Sequence, residues 1–344
     1  MTRGGETAQS ERGPVLALLD RLVAPISARA KLRVAARWRR RGRAAGAFRL
    51  LSRAARTRLP EACYRLGRCY LDGTGVPASR RDGARWLEQA ALQGHREAQA
   101  LLASLFLQGM VPGPPRQAGR RGSALFTSND AAAGPDFAMA AKWARPAAEA
   151  GSADAQAVLG YILTSGPAEM RDLPAARQWY RLAAVGGSPQ GALGHALVLA
   201  RGEKTPEEEA EVARWLRRAA DAGLPAALYL LGVMTERGTG VPSDRAAAVA
   251  LFREAAEKGS RSAQLRWGVA LMEGFGVRAN PVAGESWLRK AALAGNAEAA
   301  ARLGAIYVRA DPLPPNHAEA AMWFEQAAAS GHQGAARVLR ILSA

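Results

Sequence analysis

Residues 215–223 read WLRRAADAG, and residues 287–295 repeat the pattern as WLRKAALAG. A tryptophan stands four residues before an alanine pair, and a glycine follows three residues after that pair. The same glycine recurs at Gly94, Gly151, Gly187, Gly223, Gly259, Gly295 and Gly331. Its spacing is 57 residues once and then 36 residues five times, and six of the eight tryptophans share one repeat position. A fixed period of this length predicts a repeat protein.

Each unit also contains an apolar stripe at positions i, i+4 and i+8, which places its members on one face of a helix. Copies of the stripe are Ala62/Leu66/Tyr70, Ala98/Leu102/Phe106, Ala155/Leu159/Leu163, Ala227/Leu231/Thr235, Ala263/Trp267/Leu271 and Ala299/Leu303/Tyr307. Gly67, Gly160, Gly232, Gly268 and Gly304 directly follow the middle member. Glycine inside a helix costs about 1 kcal/mol relative to alanine, so its recurrence predicts a second helix crossing at close range. In one copy of the stripe His195 replaces the leucine.

The joints between helices follow the chemistry of helix ends. The repeat glycine supplies the left-handed residue that ends one helix, and the next residue is often a side chain that caps the following helix. These N-cap residues are Ser152, Ser188, Ser260 and Asn296, and His95 and His332 occupy the same joint position. Thr205 and Glu208 are spaced as a capping box, so the acidic run 207–211 predicts a helix start rather than a metal site.

These units resemble the Sel1-like repeat family, a relative of the tetratricopeptide repeats. The family's unit is a pair of helices that reads roughly A-x-x-x-L-G-x-x-Y-x-x-G-x-G-V and then W-x-x-x-A-A-x-x-G, and residues 62–94 match it almost throughout. The resemblance covers residues 44–344 and implies an all-α fold, a right-handed α/α solenoid of 36-residue repeats. Ala54-Ala55 would then belong to a leading second helix without a partner, and Ala335/Leu339/Ser343 to a closing helix.

Basic residues are concentrated at the N-terminus. The net charge of the chain is +17, and residues 1–60 contain 15 Lys/Arg against 3 Asp/Glu. We therefore separate an N-terminal segment, residues 1–43, from the repeat array. The arginines expected to contact an anionic surface are Arg37, Arg39, Arg40, Arg41 and Arg43.

Three interpretations of this basic segment stay open. It can cap the first repeat while its arginines stay solvated, it can lie on an anionic membrane or dock an acidic protein helix, and it can bind RNA. Upstream apolar residues at helical intervals, Val15, Leu18, Leu19, Leu22 and Ile26, fit the first two interpretations. Nucleic acid is the disfavoured partner, because the rest of the chain is nearly neutral.

The 57-residue spacing contains an insertion within residues 110–135. This stretch is rich in glycine and proline and includes Arg116, Arg120 and Arg121. A long segment without a repeat pattern is either a plain surface loop or a loop that contacts a partner. Both interpretations stay open.

Motifs for catalysis and cofactor binding are absent from the sequence. It contains no H-E-x-x-H zinc motif, phosphate loop, dinucleotide fingerprint or G-x-S-x-G elbow, so we expect no enzymatic activity, no cofactor and no metal site. Cys63 and Cys69 fall on different faces of one predicted helix, which predicts no disulfide and a reducing compartment. No apolar run reaches the roughly 18–20 residues that a membrane-spanning helix needs.

By resemblance to tetratricopeptide arrays, the residues two before and two after the stripe's leucine should line a concave face. In this chain they are Tyr64, Arg68, Tyr161, Leu193, Leu197, Tyr229, Val233, Leu265 and Val269. A surface of aromatic and aliphatic side chains with few charges suits an amphipathic or extended peptide.

These observations predict a non-enzymatic scaffold that binds another protein or peptide through its concave face. The resemblance implies an association with bacterial cell-envelope, exopolysaccharide or signalling systems. The alternative is an adaptor held at an anionic membrane surface by the N-terminal segment, and the weaker alternative is RNA binding through its arginines. The expected compartment is the cytoplasm, at the inner face of the membrane in the adaptor case.

Overall fold

The computed structural model describes residues 27–111, 134–309, 312 and 314–342. All regular structure in these residues is helical, as seventeen α-helices and a short 3₁₀ turn at Ala168–Met170. The predicted all-α fold is therefore confirmed. The apolar positions 15–26 and most of the predicted insertion, residues 112–133, lie outside the described residues.

The chain divides into two compact units, unit 1 (residues 1–172) and unit 2 (residues 173–344). Unit 1 contains α1 (Ala28–Arg40), α2 (Ala44–Ala55), α3 (Pro60–Asp72), α4 (Arg80–Ala91), α5 (Arg96–Leu107), α6 (Phe137–Glu149) and α7 (Ala153–Ser165). Unit 2 contains α8 (Leu173–Val185), α9 (Pro189–Leu199), α10 (Pro206–Asp221), α11 (Pro225–Arg237), α12 (Arg245–Glu257), α13 (Arg261–Glu273), α14 (Pro281–Leu293), α15 (Ala297–Arg309), α16 (His317–Ala329) and α17 (Gln333–Leu342). Within each unit every helix packs against its neighbours in the chain. Each unit is therefore a stack of helical hairpins, as expected of a repeat array.

The predicted helix joints are confirmed. The repeat glycines adopt the left-handed conformation, with φ of +79° at Gly223 and +89° at Gly295, for example, which is strained for any residue with a side chain. The predicted caps Ser152, Ser188, Ser260 and Asn296 each accept a hydrogen bond from the backbone N–H three residues later. Thr205 and Glu208 form a complete capping box at the start of α10.

His95 and His332 are N-caps that also tie successive first helices together. The Nδ1 atom of His95 accepts the backbone N–H of Ala98 at 3.3 Å, and its Nε2 atom lies 2.8 Å from a carboxylate oxygen of Glu61 in α3. His332 makes the equivalent contacts, at 3.0 Å to the backbone and 3.2 Å to Glu298 in α15. Because Nδ1 accepts, neutral His95 carries its proton on Nε2 and donates it to the glutamate. Both histidines are joint residues, as predicted.

The two helices of a hairpin cross closely at paired glycines. A Cβ atom on Gly268 in α13 would lie 2.9 Å from Cγ of Leu288 and 3.1 Å from the backbone oxygen of Gly284 in α14. Gly67 and Gly83 form the same reciprocal pair between α3 and α4. The close crossing predicted from the recurring glycine is confirmed at these positions.

The structure corrects the expectation that the leading helix, α2, lacks a partner. The basic helix α1 packs along α2, and its apolar residues Leu32 and Ala35 are buried. The indole of Trp38 covers Gly46 of α2, where a Cβ atom would lie 2.6 Å from the ring. The repeat pattern misses this hairpin because α1 is rich in arginine and its ends carry none of the repeat's marker residues. Residues 28–40 of the basic segment therefore belong to the stack.

His195, which replaces the leucine of the stripe, is only 3% exposed. Its ring lies edge-on to Trp215, with centroids 5.3 Å apart, and its Nδ1 atom has no hydrogen-bond partner among the described residues. Burial lowers the pKa of His195, and the smaller opposing effect of Glu211 does not restore it. A buried polar atom without a partner costs about 1–3 kcal/mol.

Replacing Gly268 by alanine is expected to destabilise the chain, although alanine normally favours a helix by about 1 kcal/mol. The added methyl group would overlap Leu288 and the backbone of Gly284, and such overpacking costs about 1–3 kcal/mol. The midpoint of thermal unfolding, followed by circular dichroism, should fall. Ser286→Ala, on the exposed side of α14, is the control and should leave the midpoint nearly unchanged. A higher midpoint for Gly268→Ala would contradict the close crossing.

Replacing His195 by leucine is expected to raise the unfolding midpoint, because leucine removes the unpaired nitrogen. Below about pH 6.5, the reference pKa of histidine, His195 becomes protonated in the unfolded chain. In the folded chain its lowered pKa opposes protonation. The free energy of unfolding of the wild type therefore decreases on acidification, and the gain from His195→Leu should be larger at about pH 5 than at about pH 8. His317→Leu, at an exposed position, is the control. An equal gain at both pH values would mean that the folded chain binds this proton freely.

Candidate functional site

Six predicted concave-face residues of unit 2 form what we call the first-helix face. They are Leu193 and Leu197 on α9, Tyr229 and Val233 on α11, and Leu265 and Val269 on α13. Leu197 is 47% exposed and the other five are half-buried, with their inner sides packed against the cores of the unit. They recur at the same two positions of three successive first helices, so they share one face of each helix.

Leu265 and Val269 line a cleft of about 420 Å³, which we call the apolar cleft. Its other lining residues are Glu236, Val249, Phe252, Arg266, Ala270, Glu273, Phe275, Glu298 and Arg302. The side chains of Val249 and Phe252 come from the second helix α12 and are buried. They therefore close the floor of the cleft, and α11, α13 and α15 supply its walls.

Charged side chains surround the apolar cleft, and most of them are already paired. Arg266 forms an ion pair with Glu236, and Arg302 pairs with Glu298 at 2.9 Å. Glu273 forms no ion pair with a described residue. The rim therefore has one uncompensated carboxylate in a chain whose net charge is +17.

Phe252 and Phe275 lie in the apolar cleft, although the repeat pattern does not mark them as site residues. Arg266 lies 5.2 Å from the ring centroid of Phe252, and Arg245 lies 4.5 Å from that of Phe275, so both rings have a cation over one face. Phe252 follows Leu251, which replaces the repeat tryptophan, and Phe275 stands where two other glycine turns have threonine. These departures from the repeat pattern could have identified Phe252 and Phe275 in the sequence.

The three predicted residues of unit 1 have different surroundings. Tyr64 is half-buried and stacks on His95, with ring centroids 4.7 Å apart and an interplanar angle of 27°. Arg68 is exposed and lies 3.6 Å from Asp72, its partner one turn along α3. Tyr161 on α7 is exposed. The ring of Tyr64 is thus used in a joint between first helices, and only Tyr161 offers an exposed aromatic surface.

A second cleft, of about 500 Å³, lies between α1 and α3, and we call it the basic cleft. Its lining residues are Arg29, Leu32, Arg33, Ala36, Arg37, Arg40 and Arg65. Of the five arginines predicted to contact an anionic surface, Arg37 and Arg40 line this cleft. Arg39, Arg41 and Arg43 are exposed but do not line it. The five arginines were predicted together because they are close in sequence. The periodicity of the helix determines which of them lie on the same face.

A polar network joins α14, α15 and α16. Arg289 lies 2.6 Å from both a carboxylate oxygen of Glu285 and the hydroxyl of Tyr307, and it also pairs with Glu319. Burial, together with the hydrogen bond to Glu285, raises the pKa of Tyr307 to about 12. Burial opposes the charge of Arg289, but its hydrogen bonds to Glu285 and Tyr307 outweigh this and raise its pKa. Tyr307 stays protonated and is hydrogen-bonded to Arg289 and Glu285. It therefore connects helices and is not suited to act as a general base.

Within the described residues, no group of three His, Cys, Asp or Glu side chains is placed to hold a metal ion. Cys63 and Cys69 are free and buried, and burial raises the pKa of both thiols, which keeps them protonated near neutral pH. None of the described helices combines the length and the apolar character that a membrane span requires.

Two solved structures resemble this chain in fold and sequence. One is a protective antigen of uropathogenic Escherichia coli with an SLR fold, 28% identical with a TM-score of 0.64, and the match covers 93% of this chain and 65% of that one. The other is a Sel1 repeat protein from Oxalobacter formigenes, 29% identical with a TM-score of 0.57, and the match covers 86% of this chain and 80% of that one. The chain thus spans about 65% of the length of the antigen. No curated protein is significantly similar to it in sequence.

The family model of the Sel1 repeat matches seven segments of the chain. They are residues 60–95, 124–152, 153–188, 202–224, 225–260, 261–296 and 297–332. Each segment ends one residue after a repeat glycine, so the end of each match coincides with a helix joint. Together the segments cover more than half of the sequence. The chain therefore belongs to the Sel1 repeat family, whose members generally bind other proteins.

Proposed function

We propose that this chain is a non-enzymatic scaffold that binds a peptide segment of another protein on the first-helix face of unit 2. Membership of the Sel1 repeat family supports the general role. The observation that carries the finer proposal is the apolar cleft around Leu265 and Val269. It is concave, its floor is apolar, and it interrupts a face made of partly exposed aliphatic and aromatic residues.

The apolar cleft selects for a peptide with apolar anchor residues. A side chain that enters the cleft meets Leu265 and Val269 at its walls and Phe252 at its floor. Removing apolar surface from water contributes about 25 cal/mol for each Å², so one or two anchors supply most of the affinity. The remaining contacts along the first-helix face, from Leu197 to Val233, extend the binding surface over further residues of the peptide.

The charges around the cleft favour a basic residue beside the anchor. Glu236 and Glu298 already have arginine partners, whereas Glu273 has no ion-pair partner among the described residues. A lysine or arginine of the ligand would pair with Glu273, while an acidic residue there would be repelled. The proposed ligand is therefore an amphipathic or extended segment in which apolar residues alternate with basic ones.

A cytoplasmic location is part of the same proposal. It is supported by Cys63 and Cys69, which are unpaired and buried in α3, because disulfides are rare in reducing compartments. An association with cell-envelope, exopolysaccharide or signalling systems remains the cellular setting that we propose from the family. We identify the partner only by its chemistry: it carries a segment that contains both apolar and basic residues.

Aspartate on the first-helix face should abolish partner capture. The double variant Leu197→Asp/Val269→Asp places two carboxylates where apolar peptide side chains are buried, and burying an unpaired charge is strongly unfavourable. Full-length wild type and variant are used as bait in lysate of the source organism, and captured proteins are quantified by mass spectrometry. We expect the enrichment of wild-type partners to fall by more than about tenfold, or about 1.4 kcal/mol.

The matched control is Val282→Asp/Leu293→Asp, which adds the same two charges to α14. Val282 and Leu293 are 68% and 74% exposed and do not line the apolar cleft. This control should capture the same partners as the wild type. If both double variants lose the partners equally, or if neither does, the first-helix face of unit 2 is not the binding surface.

A further inference from the structure

Helix α1 presents a row of four arginines along one wall of the basic cleft. Arg29, Arg33, Arg37 and Arg40 recur at intervals of three or four residues and all line the cleft. Helix geometry places them on one face over about 16 Å, with about 6 Å of rise for each four-residue step. Arg65 on α3 forms the opposite wall.

The four arginines of α1 lack counter-charges in the described part of the chain. Arg65 pairs with Glu61, and that glutamate also holds His95. None of the four arginines on α1 forms an ion pair with a described residue, and no acidic side chain lines the cleft. Like charges one helical turn apart repel and destabilise a helix. A bound polyanion would remove this repulsion.

The basic cleft also contains aliphatic surface. Leu32 and Ala36 complete its lining, between the arginine side chains. Arginine stems themselves bury apolar carbon beneath a charged head. The cleft therefore offers guanidinium groups at a regular helical interval above a strip of aliphatic carbon, and none of its lining residues is aromatic.

We propose that the basic cleft binds an acidic amphipathic helix of a partner protein. Carboxylates four residues apart on such a helix recur at the same interval of about 6 Å as the arginines of α1. Each can therefore form a charge-assisted hydrogen bond with one guanidinium. Apolar residues of the same helix would contact the half-buried Ala36 and the aliphatic stems of the arginines. This surface lies in unit 1 and is independent of the binding proposed for unit 2.

Two other anionic ligands fit the cleft less well. Proteins that bind single-stranded nucleic acid combine positive charge with aromatic side chains on which bases stack, and this lining has no aromatic residue. A helix that lies on a membrane inserts its apolar face into the lipid. The apolar residues Leu32 and Ala35 of α1 are instead buried in the helical stack.

The test uses a synthetic fluorescein-labelled peptide and the full-length chain. The peptide has about 18 residues, long enough to be helical, with glutamate at every fourth position, leucine beside each glutamate and alanine elsewhere. Binding is followed by fluorescence anisotropy at physiological ionic strength. A matched peptide with glutamine in place of glutamate, a poly(U) RNA, and vesicles of phosphatidylglycerol and phosphatidylcholine in equal parts are titrated in parallel.

Two variants with the same loss of charge separate the cleft from general basicity. Arg33→Gln/Arg37→Gln/Arg40→Gln removes arginines of the cleft, and Arg39→Gln/Arg41→Gln/Arg43→Gln removes exposed arginines beside it. We expect the first to weaken binding of the glutamate peptide about tenfold and the second to change it less than about twofold. The glutamine peptide should not bind measurably to the wild type.

A charge reversal gives a second, independent readout. Arg37→Glu should weaken the glutamate peptide, and a peptide with lysine at the matching position should recover the lost affinity. Equal losses in the two triple variants, or no binding of the glutamate peptide to the wild type, would overturn the proposal. So would poly(U) RNA or vesicles that bind more tightly than the peptide and depend on the same three arginines, because the ligand would then be nucleic acid or lipid.

Discussion

The close crossing of the two helices of a hairpin is the constraint on which the rest of the structure depends. Where Gly268 meets Gly284 and Gly67 meets Gly83, the backbones approach so closely that a single methyl group would overlap a neighbour. Helices this close leave room mainly for small side chains between them, and the buried core is accordingly rich in alanine. An alanine-rich hairpin buries little apolar surface by itself. Each hairpin is therefore stable only when its neighbours cover it.

The same packing determines where binding surfaces can form. Residues two positions from the stripe's leucine, such as Leu193 and Tyr229, are only partly covered by the next hairpin. The repeat thus provides partly exposed apolar residues at a regular interval without weakening the core. The lining of the apolar cleft includes a residue that the repeat does not fix, Phe275 in the turn after α13. The regular part of the sequence makes the face, and residues that vary between repeats make its surface differ from one place to the next.

Features that are local in the sequence could be predicted from it, whereas contacts that occur once between distant helices could not. The repeat glycines and the N-caps are local, since each acts within about four residues, so pattern alone identifies them. The contacts of Arg289 with Tyr307 and Glu319 join three helices and occur in one place. No position of the repeat pattern therefore predicts these contacts. The pairing of α1 with α2 was missed for the related reason that α1 shares no marker with the other helices. Which arginines share a cleft became visible only once the bounds of α1 were known.

The turn between α13 and α14 shows how residues that line the apolar cleft can change while the fold is kept. Gly274 and Gly276 both have φ of +70°, and a Cβ atom on Gly276 would lie 2.8 Å from the backbone oxygen of Arg245. These two glycines fix the turn, because no other residue adopts that conformation in that space without strain. The residue between them is not constrained in this way, and Thr239 holds the corresponding position in the preceding turn. Phe275 at this position adds an aromatic residue to the lining of the apolar cleft, so the lining can differ between repeats that share one packing scheme.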